Sequence, residues 1–157
     1  MTTGKKKQTC IFLADDDADD CALFKDALNE LSIQTQLTIT NDGDQLLTAL
    51  DEKVPPLPHV IFLDLNMPRK SGFVCLEEIR RTPKLKNIPV VIFSTSANPT
   101  AIDTTYSLGA NYFICKPRSF ELLKKAIEII LSFDYNLLLQ QPTKEHFFVE
   151  INKIAKA

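Results

Sequence analysis

The feature that most restricts the fold is a series of short apolar runs without polar alternation. Val60-Ile61-Phe62-Leu63 and the stretch from Ile88 to Phe93 are apolar throughout, and Thr9 to Ala14 and Tyr112 to Cys115 read as short strands of the same kind. A strand with one wet face alternates, whereas a strand covered on both faces does not, and such strands belong to parallel sheets flanked by helices. Gln36 to Thr40 alternates as a half-exposed strand. Between these runs lie apolar stripes at helical spacing: Cys21, Phe24, Leu28 and Leu31; Leu46, Leu47 and Leu50; Phe73, Leu76 and Ile79; and Phe120, Leu123, Ile127, Ile130 and Leu131. Asn41, Asn98 and Ser119 stand at N-cap positions, with Pro99 at N1 and Gly109 at C′ of the fourth helix. Strand and helix alternate five times over, which predicts a parallel sheet wound on both sides with right-handed crossovers.

A chain of 157 residues is one domain by length. Residues 1–8 read as a flexible leader, 9–132 as the folded domain, and 133–157 as a C-terminal extension. Leu137-Leu138-Leu139 could lengthen the last helix past the sheet, and Phe147, Phe148, Ile151 and Ile154 keep helical spacing after Pro142, so the extension is expected to continue the helix, fold back on the body, pair with another copy or end as a frayed tail. It is too short for a DNA-binding or catalytic module. The net charge of -2 argues against non-specific binding to nucleic acid or anionic membrane, and Lys5 to Lys7 form the only basic run. Cys10, Cys21, Cys75 and Cys115 are scattered without a C-x-x-C pair, so neither a zinc site nor a disulfide framework is suggested. With no secretory leader and no apolar run of membrane-spanning length, a cytoplasmic setting is expected.

The polar residues at the strand ends carry the chemistry, because open α/β sheets bind ligands outside the carboxyl ends of their strands. The first strand runs into Asp15-Asp16-Asp17-Ala18-Asp19-Asp20, five carboxylates in six residues. Such crowding calls for a cation. Asp15 and Asp16 follow the strand most directly, and Asp19 and Asp20 suit the N-terminus of the next helix. Asp64 ends the third strand, Ser94 the fourth and Lys116 the fifth. Carboxylates can bind a divalent ion, a carboxylate can be a nucleophile, a hydroxyl can donate to a phosphoryl oxygen and an ammonium can neutralise its charge.

The acidic pair Asp15-Asp16, the segment Leu63-Asp64-Leu65-Asn66-Met67-Pro68, Gly72, Ser94 and Lys116-Pro117 together make residues 9–132 resemble the receiver domain of two-component response regulators. That resemblance implies a flavodoxin-like, five-stranded parallel sheet of strand order 2-1-3-4-5. It implies that Asp64 accepts a phosphoryl group from a sensor histidine kinase or a histidine phosphotransfer protein. Mg²⁺ would be held by Asp16, the Asp64 carboxylate and the Asn66 backbone carbonyl, with Asp15 supporting through water. Lys116 would pair with the phosphate, and Ser94 and Phe113 would be the switch residues. The face of the fourth helix, fifth strand and fifth helix would then change and be read by a downstream protein target. A homodimer through that face or through the C-terminal extension is a further expectation.

The rival from another class is a Mg²⁺-dependent phosphohydrolase of the haloacid dehalogenase type, which needs a second aspartate two residues after its nucleophile. Here that position is Asn66, which cannot transfer a proton. A receiver-like docking scaffold that takes no phosphoryl group is disfavoured because every acidic, hydroxyl and lysine position is filled.

Overall fold

The computed structural model describes residues 8–52 and 57–151. Lys5 to Lys7, Val54-Pro55-Pro56 and Ile154 lie outside them. The strands are β1 (Thr9–Ala14), β2 (Thr35–Thr40), β3 (Val60–Leu63), β4 (Val90–Ser94), β5 (Tyr112–Cys115) and β6 (Phe148–Val149). The helices are α1 (Ala18–Asn29), α2 (Gly43–Glu52), α3 (Gly72–Arg81), α4 (Pro99–Ser107), α5 (Phe120–Ser132) and two short ones, α6 (Tyr135–Leu138) and α7 (Lys144–Phe147). All strand pairs are parallel, in the order β2-β1-β3-β4-β5-β6.

The central strands are unbroken apolar runs because each face meets its own layer of helices. Phe12, Ala14, Ile61, Leu63, Val90, Ile92 and Phe113 pack with Leu46, Leu50, Leu76 and Ile79. The residues between them, Ile11, Leu13, Val60, Phe62, Val91, Phe93 and Ile114, pack with Phe24, Leu28, Leu123, Ile127 and Ile130. Period two along each strand thus divides one apolar run between two cores. Helix starts follow the sequence closely: Asn98 accepts from the Ala101 N–H and Ser119 from the Leu122 N–H, and Gly109 has φ of 95° after α4. The cap of α2 falls one residue later than expected. Asp42 accepts from the Gln45 N–H at 2.8 Å, while Asn41 donates its side-chain amide to the Asp15 carbonyl at 3.3 Å.

The sheet gains a sixth strand, where the sequence reading had five, and it comes from the C-terminal extension. The extension does not lengthen α5: Phe133 turns extended at its C-cap, and Asp134 starts α6 by accepting from the Asn136 N–H. The chain then returns across the α4 side. Gln141 donates to the carbonyls of Tyr106 and Ala110, and the Tyr106 hydroxyl donates to the Pro142 carbonyl. Lys144 pairs with Asp103 on α4 at 2.6 Å. Phe147 is fully buried against Tyr106 and Phe113, and Phe148 and Val149 then pair with Phe113 and Ile114. The outer edge of β5, part of the surface expected to meet a second copy, is therefore occupied along Phe113 and Ile114 by the same chain. Among the described residues no helix is long and apolar enough to cross a membrane.

Candidate functional site

Parallel register sets the carboxyl ends of the strands side by side. Ala14 is level with Leu63 and Leu63 with Ile92, so Asp15 and Asp64 leave the sheet at the same height. Ser94 is level with Cys115, and Lys116 follows one residue on, its N–H bonded to the Ser94 carbonyl at 2.9 Å. Residues distant in the chain thus share one rim for a reason that belongs to the ladder.

Asp15, Asp16 and Asp64 each bring a carboxylate oxygen within 4.8 Å of the other two. Asp15 and Asp64 are buried and Asp16 is exposed. Asp17 faces the helix instead: it caps α1 by accepting from the Asp20 N–H, and Asp15 in turn accepts from the Asp17 N–H. Three hard anionic oxygen donors converging from two strand ends suit a divalent cation.

Lys116 reaches into the cluster. Its ammonium lies 2.6 Å from Asp15, 2.9 Å from Asp20 and 3.5 Å from Asp64. Burial alone would depress its pKa, but the bonds to Asp15 and Asp20 and the charges of Asp15 and Asp64 outweigh burial and raise it. Asp64 is shifted upward, first by burial, which the Lys116 charge opposes, and further by Asp15 beside it; the Asn66 N–H, at 3.4 Å, offsets a little of this. A buried, charge-crowded carboxylate of this kind is where functional acids are found.

Of the other expected site residues, Ser94 is fully buried and its hydroxyl accepts from the Ser96 N–H at 3.2 Å. Asn66 is exposed beside Asp64. Phe113 is fully buried, ringed by Phe147 at 6.3 Å and Phe148 at 5.9 Å between centroids. Those two rings come from the extension, and sequence periodicity could not have paired them with Phe113. Asp20 is the residue that sequence reasoning underrated. It lies in the first turn of α1, as expected, yet its carboxylate also binds Lys116. The surplus of acids signalled that a cation was needed, but not which acid would take the lysine.

Gly72 explains how α3 packs so near Asp64. A Cβ there would run into the Asp64 carbonyl oxygen and the Leu65 Cα, so this crossing requires glycine. Its N–H bonds the Leu65 carbonyl at 3.0 Å, closing the loop after Asp64.

Comparison with known proteins agrees with this geometry. Residues 11–128 match the model of the response regulator receiver domain. The chain is 35% identical over 127 residues to response regulator Rcp1 of Synechocystis sp., covering 78% of this chain and 86% of that protein. It is 29% identical over 120 residues to a probable chemotaxis protein CheY of Rhizobium etli, covering 76% and 90%. Among solved structures, the phosphorylated cyanobacterial phytochrome response regulator RcpA superposes with a TM-score of 0.75 at 33% identity, over 81% of this chain and 94% of that one. The Mn²⁺-bound form of Rcp1 superposes with a TM-score of 0.70 at 35% identity, over 80% and 93%. A parallel sheet that brings an acidic cluster, an alcohol and an amine to one rim, with this match over most of its length, places the chain in the response regulator receiver domains of two-component systems.

Proposed function

We propose that this receiver is a phospho-acceptor that signals by protein binding. An Asp64 carboxylate oxygen forms a P–O bond to the phosphoryl group of a phosphohistidine on a sensor histidine kinase or a histidine phosphotransfer protein; the P–N bond breaks and the imidazole leaves with its electron pair. The observation that carries this reading is the contact of Lys116 with both Asp15 and Asp64, an ammonium poised over a buried carboxylate at a sheet edge.

Asp15, Asp16 and Asp64, with the Asn66 carbonyl, are the residues that would hold Mg²⁺, which when bound neutralises charge on the phosphoryl oxygens. Lys116 pairs with one phosphoryl oxygen and the Ser94 hydroxyl donates to another. Phe113 repacks behind Ser94, and the surface around α4 and β5 changes with it. A downstream protein that prefers the changed surface reads the signal, because a ligand shifts an equilibrium only by its differential affinity. Similarity to phytochrome response regulators favours a phytochrome-type kinase as donor.

Incubation with acetyl phosphate and Mg²⁺ tests the acceptor. Intact mass should show one added phosphoryl group, lost on acid treatment and absent from Asp64→Ala. An unchanged wild-type mass would refute the proposal, and sustained turnover of a phosphate ester would favour the phosphohydrolase.

A further inference from the structure

Lys116 contacts three carboxylates, and only two of them belong to the cluster suited to a cation. Asp15 and Asp64 would have to divide their oxygens between a dication and the ammonium. Asp20 would not. Its backbone is pinned in the first turn of α1, where its N–H bonds the capping Asp17 carboxylate at 3.0 Å, and its own carboxylate extends to Lys116 from the outer side of the site. Its side chain is 36% exposed, against 1% for Asp15 and 7% for Asp64, so it is the partner that keeps some solvent while holding the lysine.

We propose that Asp20 is a positioning residue for phosphoryl transfer: it retains the Lys116 ammonium beside Asp64 while a divalent cation occupies Asp15, Asp16 and Asp64. The proposal rests on the acceptor role of Asp64 given above. Without Asp20, a cation that claims Asp15 and Asp64 leaves Lys116 repelled by the metal and tethered by nothing. With Asp20, one of its three N–H groups stays bound and the others are free to meet the incoming phosphoryl oxygens. Groups that orient a reacting residue from outside the reaction centre typically matter by about tenfold or more.

The test is the rate of phosphorylation by acetyl phosphate at saturating Mg²⁺, where the P–O bond to Asp64 forms as the bond to acetate breaks and acetate leaves with the electron pair. Asp20→Asn should slow it by about tenfold, Asp20→Glu should recover most of that loss, and Asp20→Asn should add nothing in a Lys116→Met background. A second readout is independent of the chemistry. In Mg²⁺-saturated protein the Tm changes of the two single variants should sum to more than the change in the double variant, by about 2–4 °C. A wild-type rate in Asp20→Asn, equal slowing with and without Lys116, or additive Tm changes would each overturn the proposal. A wild-type chain that takes no phosphoryl group but shows the non-additive melting would sink the acceptor role and leave the Asp20–Lys116 pair standing.

Discussion

Lys116→Met removes the ammonium that Asp15, Asp20 and Asp64 share at 2.6, 2.9 and 3.5 Å, and keeps much of the side chain's bulk. Two buried carboxylates then face each other without a cation, and breaking a fully buried ion pair costs about 3–5 kcal/mol. The cost here has an upper bound, because Asp64, whose pKa burial already raises, can take a proton instead. At pH ~7 an ordinary aspartate is about three units above its pKa, so protonating it costs roughly 4 kcal/mol. Asp20 is 36% exposed and keeps part of its hydration. We therefore expect a loss of about 3 kcal/mol without metal, a fall in Tm of roughly 6–12 °C for a chain of this size. The pH dependence follows from the direction of the Asp64 shift. A carboxyl whose pKa is raised by folding favours the folded state more as pH falls through the folded value. At pH ~5 the bound drops to about 1.5 kcal/mol, so the gap between variant and wild type should narrow. Mg²⁺ should raise the Tm of the variant more than that of the wild type, where it shares Asp15 and Asp64 with Lys116; at a hundredfold excess over Kd the gain is about 2.7 kcal/mol. Melts followed by circular dichroism, in chelator and in Mg²⁺ at both pH values, decide it. Equal Tm values in chelator near neutrality, or a gap that fails to narrow in acid, would refute the electrostatic account.

Three further outcomes are expected. Phe147→Ala should cost about 3 kcal/mol in urea denaturation, because a fully buried ring is lost against Tyr106 and Phe113, whereas Leu137→Ala, at a side chain 61% exposed, should change stability by less than about 0.5 kcal/mol. Equal effects would show that the extension does not dock as a strand. Gly72→Ala should destabilise by more than about 2 kcal/mol and lower Mg²⁺ affinity measured by calorimetry, since the new methyl meets the backbone of Asp64 and Leu65. Asn111→Ala should cost about 3 kcal/mol in thermal melts, because its amide joins the Arg80 guanidinium, the Val90 N–H and the Leu138 carbonyl, which lose a buried partner together.

Asp15, Asp64, Ser94 and Lys116 were legible as rim residues because each stands at the end of an apolar run. Asp64 follows Val60–Leu63 without a break, and parallel strands of similar length carry their last residues to one rim whatever lies between them. The division of labour inside the acidic run was not legible. Asp17 and Asp20 look alike in sequence, yet helix geometry gives one a cap to make and the other a lysine to hold. Which of its expected courses the extension would take was not legible for a related reason. Phe147 and Phe148 fit a helical stripe, but a strand of two residues is too short to show any period, and its place depends on an edge that β5 offers only after the sheet has formed.

Taken alone, the order of residues determined the alternation of strands and helices, the parallel sheet and the set of side chains that could serve a phosphoryl group, since period and capping act over a few neighbours. Tertiary structure decided which acid meets Lys116, which rings enclose Phe113 and where residues 133–151 go. Those outcomes depend on distances between segments far apart in the chain, and such distances exist only once the apolar faces have closed on one another.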